Sequence, residues 1–131
     1  MRIKKALSDR VWSRARLRCE YCQLHRDESR LPFEIDHILS KQHGGVTTAE
    51  NLALACFYCN RFKGPNLSSI DPHDETIVVL FNPRTQDWQK HFRWNGPVLS
   101  GRTAIGRATI RALKINLEER VQIRRLLNER D

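Results

Sequence analysis

Four cysteines stand as two pairs, Cys19-x2-Cys22 and Cys56-x2-Cys59, separated by 33 residues. A thiolate is a soft metal ligand, and a C-x-x-C pair turns two sulfurs toward one point. Two such pairs in a short chain predict a tetrahedral four-thiolate zinc (Zn2+) site. With every position filled by sulfur, that metal has no place for water, so it staples the fold and performs no chemistry. Disulfides and buried free thiols are the alternatives. Disulfides suit oxidising compartments, for which nothing in the chain argues.

A second set of polar groups lies between the pairs. In "FEIDHILSKQHGG", residues 33 to 45, Asp36 and His37 sit inside the apolar run Phe33, Ile35, Ile38 and Leu39. Polar groups there cost free energy unless they bind something. A neutral imidazole with a pKa near ~6.5 suits a general base at neutral pH, and a carboxylate is a hard ligand for a divalent cation. The zinc staple would hold residues 19–22 against residues 56–59. The segment between then becomes a closed excursion, and Asn60, just past the last cysteine, must lie near it.

The polar residues form a set: Glu34, Asp36, His37, Asn51 and the run Cys59-Asn60-Arg61-Phe62-Lys63. Four stretches, "RCEYCQ", "FEIDHILSKQHGG", "NLALACFYCN" and "CNRFKG", cover about residues 18–64. Together they resemble the HNH endonuclease family, also called His-Me finger or ββα-metal nucleases. The resemblance implies that His37 is the general base that takes a proton from the attacking water. It implies that Asp36 binds a catalytic divalent cation, magnesium (Mg2+) or manganese (Mn2+), and that Asn51 holds the loop carrying the base. Asn60 stands where many members have a second histidine, which makes this an H-N-N variant with the amide oxygen as metal ligand. Lys63 falls at a basic position expected to meet phosphate, and the neighbouring Arg61 is a second candidate. The implied fold is two short antiparallel strands, about 33–37 and 52–55, then a helix from about 58, with a capping signal at Thr47–Glu50. Neighbours on a regular strand face opposite sides. For Asp36 and His37 to serve one phosphate the strand must end or twist there, and Glu34, on the face of Asp36, is the alternative ligand.

Charge agrees with a polyanionic partner. The 131 residues hold 23 Lys and Arg against 15 Asp and Glu, a net charge of +8, and such basic chains point to nucleic acid, with double-stranded DNA the expected partner. Leu7, Val11 and Ala15 recur at i, i+4, so the N-terminal stretch reads as an amphipathic helix. Arg10, Arg14 and Arg18 share its opposite stripe, where they could meet phosphates or form a solvated face. No apolar run is long enough to cross a membrane, and the basic start leads into more arginine rather than a leader peptide. A soluble, intracellular and cytoplasmic setting is expected.

The chain divides into residues 1–66, with the nuclease unit and all four cysteines, and residues 67–131, an α+β extension. "KGPNLSSIDPHD" marks the change, because Gly64-Pro65 stops a helix and Asp71-Pro72 marks a turn. In the extension "TIVVLF" predicts a buried strand. Asn82 and Pro83 predict the start of a helix with Trp88 and Phe92 one turn apart. "FRWNGPVLSG" predicts a hairpin around Asn95-Gly96. Two closing helices are expected, one from Thr103 to Leu113 and one capped by Asn116 with Glu119. Arg102, Arg107, Arg111, Arg124 and Arg125 are expected to add DNA or partner contacts. Trp12, Trp88, Trp94 and Phe92 read as core, and His25, His43, His73 and His91 as surface or packing residues. The fold class is α+β: a zinc-stapled ββα-metal unit with a basic N-terminal helix and a small α+β extension. The rival readings are a zinc-ribbon nucleic-acid-binding module without catalysis and a protein-interaction adaptor.

Overall fold

The structure, a computed structural model, describes residues 3–129. The apolar stripe of the N-terminal segment makes α1 (Lys5–Arg14), with Val11 wholly buried and Leu7 packed on the core. The helix is shorter than the basic stripe. Arg16 and Leu17 take positive φ values, 55° and 62°, and turn the chain into the first cysteine knuckle. Arg10, Arg14 and Arg18 therefore do not share one helical face. Arg14 reaches inward and donates to the carbonyls of Ala49 (2.9 Å) and Leu52 (2.8 Å). Arg18 lies beyond the helix and donates to Gln23 O at 3.0 Å.

β1 (Glu34–His37) and β2 (Leu52–Ala55) pair antiparallel, with Asp36 opposite Ala53 and His37 opposite Leu52. Every residue of β2 is buried, and a wholly buried leucine such as Leu52 or Leu54 contributes about 1.5–3 kcal/mol. α2 (Phe57–Lys63) follows at once. The Cys56 sulfur caps it by accepting the Cys59 N–H, and Gly64 at φ 50° ends it. This is the strand, strand, helix order that the resemblance implies.

The rest adds β3 (Ser68–Ile70), β4 (Ile77–Val79), α3 (Trp88–His91), β5 (Phe92–Asn95), β6 (Val98–Gly101), α4 (Ala104–Ala112) and α5 (Glu118–Glu129). Among the described residues this makes five α-helices and three two-stranded sheets, a mixed α+β fold. Thr103 caps α4, as expected. The hairpin turns on Gly96 and Pro97, one residue later than expected, with Gly96 at φ 60°.

Three expectations fail for local reasons. β4 is not buried: Ile77 and Val79 are 77% and 60% exposed, and only Leu80 and Phe81 beyond the strand enter the core. Pro83 starts a turn rather than a helix. The Asn82 side chain accepts the Arg84 N–H, and the true cap, Asp87, comes later. Asn116 does not cap α5, because its amide is spent on both backbone groups of Leu99, and Glu119 instead faces the Tyr58 hydroxyl.

The extension is joined to the cysteine half by packing and hydrogen bonds. Trp88 stacks near Phe92, their ring centroids 5.1 Å apart. Its indole N–H donates to Tyr21 O at 2.8 Å, and that of Trp94 to the Gln23 side chain at 3.2 Å. One apolar cluster runs from Val11 through β2, Phe81, Phe92 and Leu99 to Ile115. Among the described residues no helix is long and apolar enough to cross a membrane.

Candidate metal centre and active site

The sulfurs of Cys19, Cys22, Cys56 and Cys59 are buried and lie within 4.8 Å of one another. A tetrahedron built on zinc–sulfur bonds of ~2.3 Å has edges of about 3.8 Å, and the Cys22 and Cys56 sulfurs are 3.7 Å apart. The N–H groups of Tyr21 and Cys22 point at the Cys19 sulfur, and that of Cys59 at Cys56, each at 3.4 Å. Donors aimed at sulfur favour thiolates, the form that binds metal. These residues are positioned to form a zinc site.

His37 ends β1, half-buried, with Nε2 2.9 Å from the Thr47 hydroxyl oxygen. Burial holds the imidazole below its ordinary value of 6.5. Asp36 pulls the other way, while Lys41 and Lys63 add to the lowering. The ring is thus neutral at neutral pH, as a proton acceptor must be. The loop after it is pinned by Asn51. The Asn51 Oδ1 accepts from Leu39 N at 2.8 Å, and its Nδ2 donates to Leu39 O and Val46 O, both at 2.9 Å. The Ile38 N–H donates to Asn51 O at 2.8 Å. Gly45 lets this loop close, since a Cβ there would stand 1.7 Å from Leu39 O.

Asp36 faces the other way. Only 6% exposed, its Oδ2 accepts the Tyr21 hydroxyl at 2.8 Å and lies 3.0 Å from the Lys63 ammonium. Lys63 also donates to His37 O (3.2 Å) and Ile38 O (3.1 Å). Burial pushes the Asp36 carboxyl above its ordinary range, against the pull of Lys63 and Tyr21. Lys63 is itself 2% exposed, so it is not available to a phosphate. It holds the backbone that carries the base. As it stands the Asp36 carboxylate does not fit a hydrated divalent cation, because an ammonium already occupies it. Glu34 is exposed. Asn60, half-buried on α2, makes no side-chain hydrogen bond among the described residues. Arg61 is exposed, its guanidinium 5.8 Å from the centre of the Phe57 ring.

The sequence reading missed Tyr21, Thr47 and Arg120. Tyr21 sits between the first two cysteines, a position that gives no hint of a carboxylate partner. Thr47 was visible only as part of a capping signal. His25 and His91 serve local structure, His25 by accepting the Asp27 N–H and His91 by pairing with Thr103. A cavity of about 780 Å³ lies between the first knuckle, Trp94 and α5, and His37, Asp36 and Asn60 take no part in its lining.

A family model described as HNH endonuclease matches residues 19–66. The Septu protein PtuB of Bacillus thuringiensis is 28% identical over 112 residues, which is 84% of this chain and 41% of that protein. The chain therefore spans about two fifths of the relative's length. No solved structure matches. The matched segment opens on the first knuckle cysteine, closes just past α2 and encloses His37, Asn51 and Asn60, so residues 19–66 are the part of this chain that is similar to the HNH endonuclease family.

Proposed function

We propose that the protein is a metal-dependent endonuclease that hydrolyses phosphodiester bonds in double-stranded DNA, one strand per active site, with His37 as general base. The observation that carries this reading is the half-buried imidazole at the end of β1, on a loop pinned by Asn51, where burial lowers its affinity for a proton. In this reading a water approaches the phosphorus while Nδ1, the ring nitrogen that Thr47 does not engage, takes its proton. The new P–O bond forms as the bond to the leaving oxygen breaks. Thr47, at 2.9 Å, orients the ring, and Lys63 fixes the main chain that follows it. Magnesium or manganese would polarise the phosphoryl group. Asn60 and Asp36 are its candidate ligands, Asp36 only once Lys63 withdraws. Arg10, Arg61, Arg102 and Arg125 are exposed and free of ion pairs among the described residues, and they are the candidate phosphate contacts. Arg107 and Arg111 pair with Asp71 and Glu75, and Arg124 bonds to Pro97 O and Ile115 O. The reading places the protein in the cytoplasm, with residues 67–131 packed beside a nuclease unit of residues 1–66.

The closed Asp36–Lys63 pair favours a second reading, a zinc-ribbon module that binds nucleic acid without cutting it. Supercoiled plasmid incubated with the protein at low salt, across a magnesium and manganese series, separates them. The nuclease gives nicked circles that disappear in His37→Ala. The binding module retards the plasmid and leaves it intact.

A further inference from the structure

Arg120 has no part in the proposed hydrolysis and lies outside the family segment, yet it is 3% exposed. A guanidinium cannot shed its charge, and burying it is costly unless it is paired. Among the described residues no carboxylate forms an ion pair with it. Its partners are of two other kinds. Nη2 donates to the sulfurs of Cys59 (3.2 Å) and Cys56 (3.8 Å). Nη1 donates to Leu113 O (2.7 Å) and Lys114 O (3.2 Å), carbonyls just past the end of α4. The guanidinium carbon lies 5.1 Å from the centre of the Tyr58 ring. One buried cation from α5 thus bridges the second cysteine knuckle and the end of α4.

We infer that Arg120 is the counter-charge of the zinc centre: it holds the zinc in place and fastens the C-terminal extension to it, so that metal retention and the docking of α5 are one linked equilibrium. The inference rests on the zinc reading of the cysteines. A zinc ion with four thiolates carries two net negative charges, and backbone N–H groups supply only partial charge against them. Arg120 supplies a full one within hydrogen-bond reach. Groups that bond to metal ligands from outside typically change metal affinity 10- to 100-fold. Linkage is reciprocal, so whatever Arg120 adds to zinc affinity, zinc adds to α5 docking.

The test uses the full chain loaded with zinc, and separately with cobalt. Zinc transfer to a chromophoric chelator gives the release rate, and the thiolate-to-cobalt charge-transfer band reports on hydrogen bonds to sulfur. Arg120→Met should release zinc about 10- to 100-fold faster and shift the band. Arg120→Lys keeps the charge and loses the planar fork, so its release rate should fall between and its band should also move. Val121→Ala, a buried change on the same helix at a side chain that cannot hydrogen-bond to sulfur, should leave both near wild type. Wild-type release and band in Arg120→Met overturn the inference. If that variant does not fold, the same result in Arg120→Lys overturns it. Release from Val121→Ala as fast as from Arg120→Met also overturns it, because general loosening of α5 would then explain both. A wild-type chain that takes up neither zinc nor cobalt removes the zinc reading itself.

Discussion

The cysteine centre keeps its sulfurs within 4.8 Å of one another, buried and ringed by N–H donors from their own knuckles. His37, a short way along the chain, keeps part of its ring exposed and owes its setting to residues far from it: Thr47, Asn51 and Lys63. The first centre is closed, each of its two knuckles is locally built, and Arg120 adds a donor from far along the chain. The second is half open and held by long-range contacts, with a buried ion pair, Asp36–Lys63, on its inner side. A staple must not exchange with solvent, whereas a hydrolytic site must admit water and a polymer. The difference teaches that spacing suffices to write the first kind of centre, and that the second depends on how a loop is tied down.

The largest expected effect is at the staple. Structural zinc in small domains is worth about 10–16 kcal/mol. Cys59→Ser, or stripping with a strong chelator, should therefore abolish cooperative unfolding by circular dichroism, while His37→Ala leaves the transition in place. Lys63→Met comes next. It strands the Asp36 carboxylate, and breaking a buried pair costs about 3–5 kcal/mol, readable in urea denaturation. If Asp36 can serve a cation, the same variant should bind manganese more tightly, which would sharpen the contrast between the centres. Asn51→Ala removes three side-chain hydrogen bonds to the loop, for about 1.5–4 kcal/mol. It should also raise amide exchange at Leu39 without touching zinc content.

The smallest effect concerns neither centre. Asp71 is 1% exposed. Twin hydrogen bonds from Arg107, both 2.9 Å, chiefly hold its carboxyl down to about 2. Its stabilising contribution is whole above its unfolded value near ~3.9 and fades as pH falls toward about 2. Asp71→Asn should lower the melting temperature by several degrees at neutral pH and flatten the acid loss of stability over that window.

The cysteine cluster was fully legible, because a C-x-x-C pair defines its own knuckle. β1, β2 and α2 were legible from the family resemblance. The inward turn of Lys63 was not, since a lysine in "NRFKG" reads as a surface group until Asp36 and the carbonyls of His37 and Ile38 are seen to need a donor. Arg14 misled for the same reason: the open carbonyls of Ala49 and Leu52 draw it inward. β4 misled because β-branched residues favour strands whether or not the strand is covered. Arg120 could not have been found, as nothing in "EERVQIRR" says that a helix about sixty residues on meets the sulfurs.

The central claim is that His37 accepts the proton of the attacking water. Single-turnover nicking of supercoiled plasmid by wild type and by His37→Gly, both verified for zinc content, tests it most directly, with imidazole added to half the reactions. The account predicts a loss of about 10²- to 10⁴-fold that imidazole partly restores. A His37→Gly protein that nicks at the wild-type rate, with contaminating nuclease excluded, would contradict it.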